Sequence, residues 1–135
     1  MFTFELTTDA NGAFDIMSHL QEALSLSKVE VGLAVIQVPH TTAGVAIVAF
    51  PDPLVLDDLT DEINRLVPTR VDFRHQYDTP QDAAGHIKAA LFGSSLTLII
   101  SASSFVLGHS QRVYFMEYDG PRRRRFHIEI MGLPK

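Results

Sequence analysis

The chain of 135 residues has a mass of 15.0 kDa, a formal net charge of −5 and 46% hydrophobic residues. That length fits a single domain over residues 1–135, because two domains of half this size would each bury too little surface. The acidic balance argues against a nucleic-acid or acidic-membrane surface, and the absence of cysteine excludes disulfides and thiolate metal ligands. No apolar run approaches the roughly 20 residues of a membrane helix, and no leader-like stretch opens the chain, so we expect a cytoplasmic protein.

Apolar patterning in the first half of the chain predicts three strands and one helix. Apolar and polar residues alternate over residues 2–7, which is typical of a half-buried strand. Apolar residues recur at intervals of three and four over residues 13–26, which predicts an amphipathic helix with Asn11 as a candidate cap. The nearly continuous apolar runs at residues 29–38 and 43–50 predict buried strands.

Two pairs of a capping residue and a proline mark further helices. Asp52-Pro53 precedes a helical apolar pattern, and Thr79-Pro80 precedes a shorter one over residues 81–92. In both pairs the first side chain can accept backbone N–H bonds, and proline fits the first helical position. Gly93 then provides a helix stop. We therefore predict three helices at most.

The second half also carries strand patterns. Residues 96–100 form a short apolar run, and residues 111–118 and 122–131 predict a hairpin around a turn at residues 119–121. Strands and helices are mixed without a regular β-α-β order. The predicted fold class is therefore α+β, a single domain with mainly antiparallel sheets and two to three helices.

The histidines are the strongest candidates for catalysis or metal binding in this chain. The six histidines are His19, His40, His75, His86, His109 and His127. His19 and His127 fall within regular elements and are expected to be structural or solvent-facing, whereas the other four lie at element ends or in loops, where sites are commonly built. Three imidazoles with an open fourth position are typical of a catalytic zinc site, but the spacing matches no motif such as H-E-x-x-H. From spacing alone, a shared His40, His75 and His86 site and three unrelated polar residues both remain open.

Asp82 is the carboxylate best placed to act with a histidine. It lies four residues before His86 in the predicted third helix, so both side chains share one helix face. A carboxylate in that position can orient the imidazole or share a metal ion with it.

Residues 122–125 form the only basic run, four consecutive arginines. Alternate residues of a strand face opposite ways, so at most two of these guanidinium groups meet at one place. Such a pair suits phosphate or carboxylate, although a charged sheet edge or a subunit salt-bridge patch explains the run equally well. Hydroxyls at Thr41, Thr42 and Ser94 are further candidate phosphate donors, without a Walker loop or G-x-G-x-x-G motif.

Several short motifs follow one another in a fixed order over essentially the whole chain. They are His40-Thr-Thr-Ala-Gly44, Asp52-Pro53, Asp58-Leu59, Leu66-Val-Pro68, Phe73-Arg-His75, Asp82, His86-Ile-Lys-Ala-Ala-Leu-Phe-Gly93, Leu107-Gly108, Gln111 and Glu117-Tyr-Asp-Gly-Pro-Arg122. The most distinctive are the segment starting at His86 and the turn ending at Arg122. In this order the motifs resemble the YjbQ-like family, also called secondary thiamine-phosphate synthase proteins.

The resemblance implies an α+β domain with sandwich-like sheets, a homotrimer with sites near subunit boundaries, and a weak thiamine-phosphate synthase activity. That reaction joins a hydroxymethylpyrimidine diphosphate to a thiazole phosphate and releases pyrophosphate. In this hypothesis His40, His75 and His86 bind a metal or act as acid–base groups together with Asp82. The residues expected to hold the phosphates are Thr41, Thr42, Ser94, Gln111, Arg122 and Arg124. The predicted cofactor is a divalent metal, zinc or another transition metal, with magnesium as the alternative for a diphosphate substrate.

Two other functions stay open. Magnesium prefers oxygen ligands, whereas a triple-histidine site favours zinc, so a metal-dependent hydrolase or lyase of a small phosphorylated or carboxylated substrate is the first alternative. The second is a non-catalytic trimeric binding protein, because this chain has Val48-Ala49 where the family commonly carries Asn-Glu. It also has Gly108-His-Ser-Gln111 in place of Gly-Thr-Trp-Gln.

Overall fold

The structure, a computed structural model, describes residues 1–49 and 52–134. Within these ranges the chain forms eight strands and three helices. The strands are β1 (Phe2–Thr8), β2 (Gly12–Asp15), β3 (Gly32–Gln37), β4 (Ala43–Ala49), β5 (Ser95–Ser101), β6 (Ser104–Phe105), β7 (Gln111–Glu117) and β8 (Arg122–Gly132). The helices are α1 (Met17–Ser27), α2 (Pro53–Leu66) and α3 (Pro80–Phe92). The α+β prediction is confirmed; Phe50, the last residue of the predicted 43–50 strand, lies outside the described residues.

The strands form two sheets. Sheet A has the order β1-β8-β3-β5-β6 and sheet B the order β2-β7-β4, and every described pair is antiparallel. Alternate side chains of β8 and β7, such as Phe126 and Phe115, meet between the sheets with ring centroids 6.2 Å apart. This apolar layer, with Leu20 and its neighbours on α1, is the main core, and its burial is the chief source of stability.

The opposite face of sheet B is covered by α2 and α3. Tyr114, Met116 and Tyr118 point away from the main core and pack against Ile63 of α2 and Ala89 of α3. Helices α2 and α3, sheet B and sheet A therefore form three successive layers. No helix within the described ranges is both long and apolar enough to span a membrane.

The capping predictions for α2 and α3 are confirmed. Asp52 Oδ1 accepts the N–H groups of Leu54 and Val55, and Pro53 is the first residue of α2. Thr79 Oγ1 accepts the N–H of Asp82, and Gly93 with φ +93° ends α3. Both helices begin where a short polar side chain satisfies N–H groups that have no partner within the helix.

The helix predicted over residues 13–26 is wrong at its start. Gly12–Asp15 is strand β2, with Phe14 opposite Phe115 of β7, and α1 begins at Met17. Asn11 caps no helix; its side chain instead accepts the N–H of Gly120 and donates to the carbonyl of Tyr118. Pairing with a distant strand therefore overrides the helical spacing of residues 13–16.

The predicted hairpin of residues 111–131 is also wrong. Both strands exist, but β7 belongs to sheet B and β8 to sheet A, so the turn at residues 119–121 carries the chain across the sandwich. Glu117 at the end of β7 and Arg124 near the start of β8 face each other in the interior instead of pairing side by side. This crossing positions Asp119 and Arg122 beside α3.

Candidate metal centre

Two histidines and one aspartate converge at the start of α3. Asp82 Oδ2 lies 3.1 Å from His86 Nε2 and 3.3 Å from His75 Nε2. Each of the three residues offers one ligand atom, and these three atoms all lie within 4.8 Å of one another. The two imidazole rings are edge-to-face, with centroids 5.1 Å apart. The predicted contact between Asp82 and His86 is confirmed.

Local structure accounts for this convergence. Asp82 and His86 are one turn apart on α3, so their side chains lie on the same face. The cap of Thr79 holds the backbone N–H of Asp82 directly. His75 arrives on the loop before α3, which is fixed by the buried ring of Phe73 and by the bond from Gln76 Nε2 to the Phe73 carbonyl.

Burial differs within the cluster in a way that suits ligand binding. The side chain of Asp82 is 11% exposed, whereas those of His75 and His86 are 45% and 39% exposed. Two imidazole nitrogens and a carboxylate oxygen are a donor set that zinc and similar divalent ions accept, and exposure on the histidine side leaves room for a further ligand. The residues present therefore fit a metal ion with an open coordination position.

A second polar group lies beside the cluster. Asp119 is 5% exposed and accepts hydrogen bonds from Gln81 Nε2 and Arg122 Nη2, at 3.0 and 2.9 Å. Burial alone raises the pKa of Asp119, but these bonds, with a contribution from the Asp82 side chain, lower it below 3.8. Asp119 is thus ionised and fixes the guanidinium of Arg122.

Arg122 lies near the cluster, since the charge of Asp82 acts on its guanidinium. Its side chain is 46% exposed, and its pKa is raised first by the hydrogen bond to Asp119 and further by the charges of Asp78 and Asp82. The guanidinium is therefore a permanent positive charge at the rim of the His75, Asp82 and His86 cluster.

His40 is not part of this cluster. It follows β3, and its Nε2 accepts the backbone N–H of Arg125 at 3.0 Å. Burial and then the charge of Arg124 lower the pKa of His40 below 6.5. The structure thus brings His75 and His86 together with Asp82 and leaves His40 in a different environment, beside β8.

The predicted phosphate-binding residues do not form one site. Arg124 is buried and bonds to both carboxylate oxygens of Glu117, at 2.8 and 2.5 Å, and to Thr42 Oγ1 at 2.8 Å. Thr8 Oγ1 donates to Glu117 as well. These groups already satisfy one another inside the sandwich. Because Arg124 and Thr42 are occupied here, their expected contact with a phosphate has no support from the geometry.

The remaining predicted donors lie apart from one another. Thr41 is exposed in the turn before β4, and Ser94 is exposed between α3 and β5, where its carbonyl accepts the N–H of Val38. Gln111 Oε1 accepts the N–H of Gly108 at 2.7 Å and stabilises the loop before β7.

Sequence reasoning did not find a buried amine on α3. Lys88 is 3% exposed, its Nζ donates to Asn64 Oδ1 at 2.7 Å, and burial lowers its pKa. Its chain neighbours Ile87 and Ala89 are apolar, but only its contact with Asn64 of α2 reveals that the amine is buried. The buried ion pair of Glu117 with Arg124 was also not predicted, because it joins strands of two different sheets.

The fold and the cluster show what kind of protein this is. It is a single layered α+β domain of two antiparallel sheets, with a His–Asp–His group at the start of a helix. A sequence profile described as "UPF0047 protein YjbQ-like" matches residues 2–133. The chain therefore belongs to the YjbQ-like UPF0047 family, and the resemblance seen in the sequence is confirmed at the level of the family.

Individual relatives agree over almost the full chain. UPF0047 protein MJ1081 of Methanocaldococcus jannaschii is 41% identical over 133 residues, which are 98% of this chain and 94% of that protein. UPF0047 protein YugU of Bacillus subtilis is 33% identical over 128 residues, covering 93% and 94%. Neither description names a reaction.

Solved structures confirm the fold. An uncharacterised conserved protein of the family from Clostridium acetobutylicum superposes with a TM-score of 0.90 and 34% identity, covering 97% of this chain and 100% of that one. The hypothetical protein APE1520 from Aeropyrum pernix gives a TM-score of 0.91 with 29% identity and 98% coverage of both chains.

Proposed function

We propose that this protein is a metal-dependent enzyme that cleaves a small phosphorylated substrate. The observation that carries the proposal is the convergence of His75 Nε2 and His86 Nε2 on Asp82 Oδ2 at 3.3 and 3.1 Å. A divalent cation bound there would supply Lewis-acid activation of water and of a phosphoryl oxygen. The other steps depend on the residues around it.

The chain's own residues divide the remaining tasks. Arg122, held by Asp119, offers guanidinium N–H groups to the phosphoryl oxygens and balances their charge. Asp82, being mostly buried, fixes the relative positions of the two imidazoles. The exposed sides of His75 and His86 leave the cluster open to a substrate from solvent.

The thiamine-phosphate synthase activity implied by the family resemblance is the second candidate. Arg122 beside the cluster favours it, because departure of pyrophosphate needs a fixed positive charge and, commonly, a divalent cation. The buried pair of Arg124 and Glu117 counts against the wider set of phosphate donors expected for this reaction.

Metal analysis tests the centre. Untagged, chelator-free protein should contain about one zinc or other transition-metal ion per chain, and His86→Ala should lose it. His40→Ala is the matched control: it removes a histidine outside the cluster and should keep the metal. Retention of metal by His86→Ala, or its loss in His40→Ala with an intact fold, would contradict the assignment.

Substrate assays then separate the two candidate reactions. Steady release of phosphate from a phosphate ester without a thiazole acceptor supports the cleavage reaction. Product that forms only when both thiamine precursors are supplied supports the synthase. Absence of turnover in both assays, by protein shown to contain metal, would contradict both and favour a binding protein.

A further inference from the structure

The outer face of sheet A carries a basic groove that the proposed metal centre does not use. It encloses a volume of about 320 Å³. Its lining residues are Glu5, Leu6, Thr7, His40, Arg123, Arg124 and Arg125. Successive side chains of a strand point to opposite faces, so Arg123 and Arg125 face outward while Arg124 points into the sandwich. None of the lining residues belongs to the cluster at α3, so the groove is distinct from it.

Charge in this groove is unbalanced. Arg124 is neutralised by Glu117 in the interior. On the outer face, Glu5 is the single carboxylate among the lining residues, and its pair with Arg123 is loose, at 3.9 Å with both side chains more than 80% exposed. Within the described ranges no carboxylate pairs with Arg125. In a protein of net charge −5, this is a local excess of positive charge.

His40 also lines the groove, and its ring is held by a bond to the backbone. Because its Nε2 accepts the N–H of Arg125, the neutral ring carries its proton on Nδ1. Burial and the charge of Arg124 lower its pKa below 6.5, so the ring is mostly neutral at pH 7. The histidine thus offers an N–H bond without adding to the repulsion among the arginines.

We infer that this groove binds the phosphoryl group of a small anion through Arg123, Arg125 and His40. Guanidinium groups match the geometry of phosphate oxygens, and a neutral imidazole N–H complements them. A volume of about 320 Å³ is large enough for a phosphate or a small phosphate monoester.

A phosphate titration followed by amide NMR tests the inference. Inorganic phosphate should shift the amide resonances of Thr7 and Arg125, and Arg125→Gln should weaken binding by at least about tenfold. Arg65→Gln is the matched control, because Arg65 is an exposed arginine on α2 whose pair with Glu62 lies in a different layer. It should bind phosphate as the wild type does.

The same titration in His86→Ala separates this site from the metal centre. Binding that survives in His86→Ala and is lost in Arg125→Gln supports the groove, whatever the fate of the proposed reaction. Unchanged affinity in Arg125→Gln, or shifts confined to residues near α3, would overturn it. Glycerol 3-phosphate as a second probe identifies the occupant: tighter binding than phosphate points to an organic phosphate monoester, and equal or weaker binding to free phosphate.

Discussion

Glu117 and Arg124 show how one pair of residues joins the two sheets. Glu117 is 1% exposed and receives bonds from Arg124, from Thr8 and from the N–H of Asp119. Burial alone raises the pKa of Glu117, but these bonds lower it below 4.5. The interior charge is thus fully paired, which a buried carboxylate requires.

Removing one partner of this pair should be costly. Glu117→Gln leaves the Arg124 guanidinium buried without a counter-charge, and we expect a loss of about 3–5 kcal/mol in the free energy of unfolding, measured by urea denaturation at pH 7. Glu62→Gln breaks an exposed pair with Arg65 and should cost less than about 1 kcal/mol.

The free energy of unfolding should also depend on pH differently in the wild type and in Glu117→Gln. Because the pKa of Glu117 is lower in the folded state, its stabilising contribution is complete above pH 4.5 and is lost as the pH falls through the folded value. Wild type should therefore lose more stability than Glu117→Gln as the pH is lowered from 5 into the acid range. Parallel stability curves would show that Glu117 is not ionised in the folded protein.

Helix α3 links helix capping to the proposed metal centre. Thr79 accepts the N–H of Asp82, so the residue that begins the helix also fixes the backbone of a proposed ligand. Gly85 lets this helix approach the residue before β4 closely, because a Cβ at that position would lie 3.2 Å from the side chain of Thr42.

Thr79→Ala should weaken both the helix and metal binding. Loss of the cap should cost about 1 kcal/mol of stability, and the freed Asp82 should lower metal affinity by about tenfold or more. Thr79→Ser retains the acceptor oxygen and should restore both. Metal titration and urea denaturation provide the two measurements; wild-type metal affinity in Thr79→Ala would separate capping from ligand placement.

The sequence was informative where the determinants are local. The capping residues before α2 and α3 and the four-residue spacing of Asp82 and His86 depend on one helical turn, and these predictions are confirmed. Strand β2 depends on a partner strand about 100 residues away. The crossing after β7 depends on which sheet each of the two strands joins. The separation of His40 from His75 arises likewise from packing that spacing does not encode.

At the scale of the whole molecule, the outer face of sheet A is uncovered within the described ranges. Met131, Leu33 and Ile99 lie side by side across β8, β3 and β5, and Ile99 and Met131 are 59% and 61% exposed. A row of apolar side chains on an open sheet is a common feature of subunit contacts.

We propose that the protein is a homotrimer, as the family resemblance implies, and that this row contributes to its contacts. Light scattering after gel filtration should give three times the chain mass of 15.0 kDa. Ile99→Glu should lower that mass, whereas Leu91→Glu, a charge placed on an equally apolar exposed position of α3, should not. A wild-type monomer, or a trimer that tolerates Ile99→Glu, would contradict this.

The central position of β8 in sheet A has a consequence for how the chain folds. β8 lies between β1 and β3, and its residue Ile128 pairs with both Phe2 of β1 and Ile36 of β3. These strands of sheet A therefore cannot be joined before β8 is present. Sheet B needs β7, which is also late in the chain, to join β2 and β4. Such pairings over long sequence separations carry a large loop-closure cost before any contact compensates for it, which is typical of folding in milliseconds to seconds. During synthesis, β1 and β2 therefore stay unpaired until β8 and β7 have emerged, and this nascent stage is the one most exposed to aggregation.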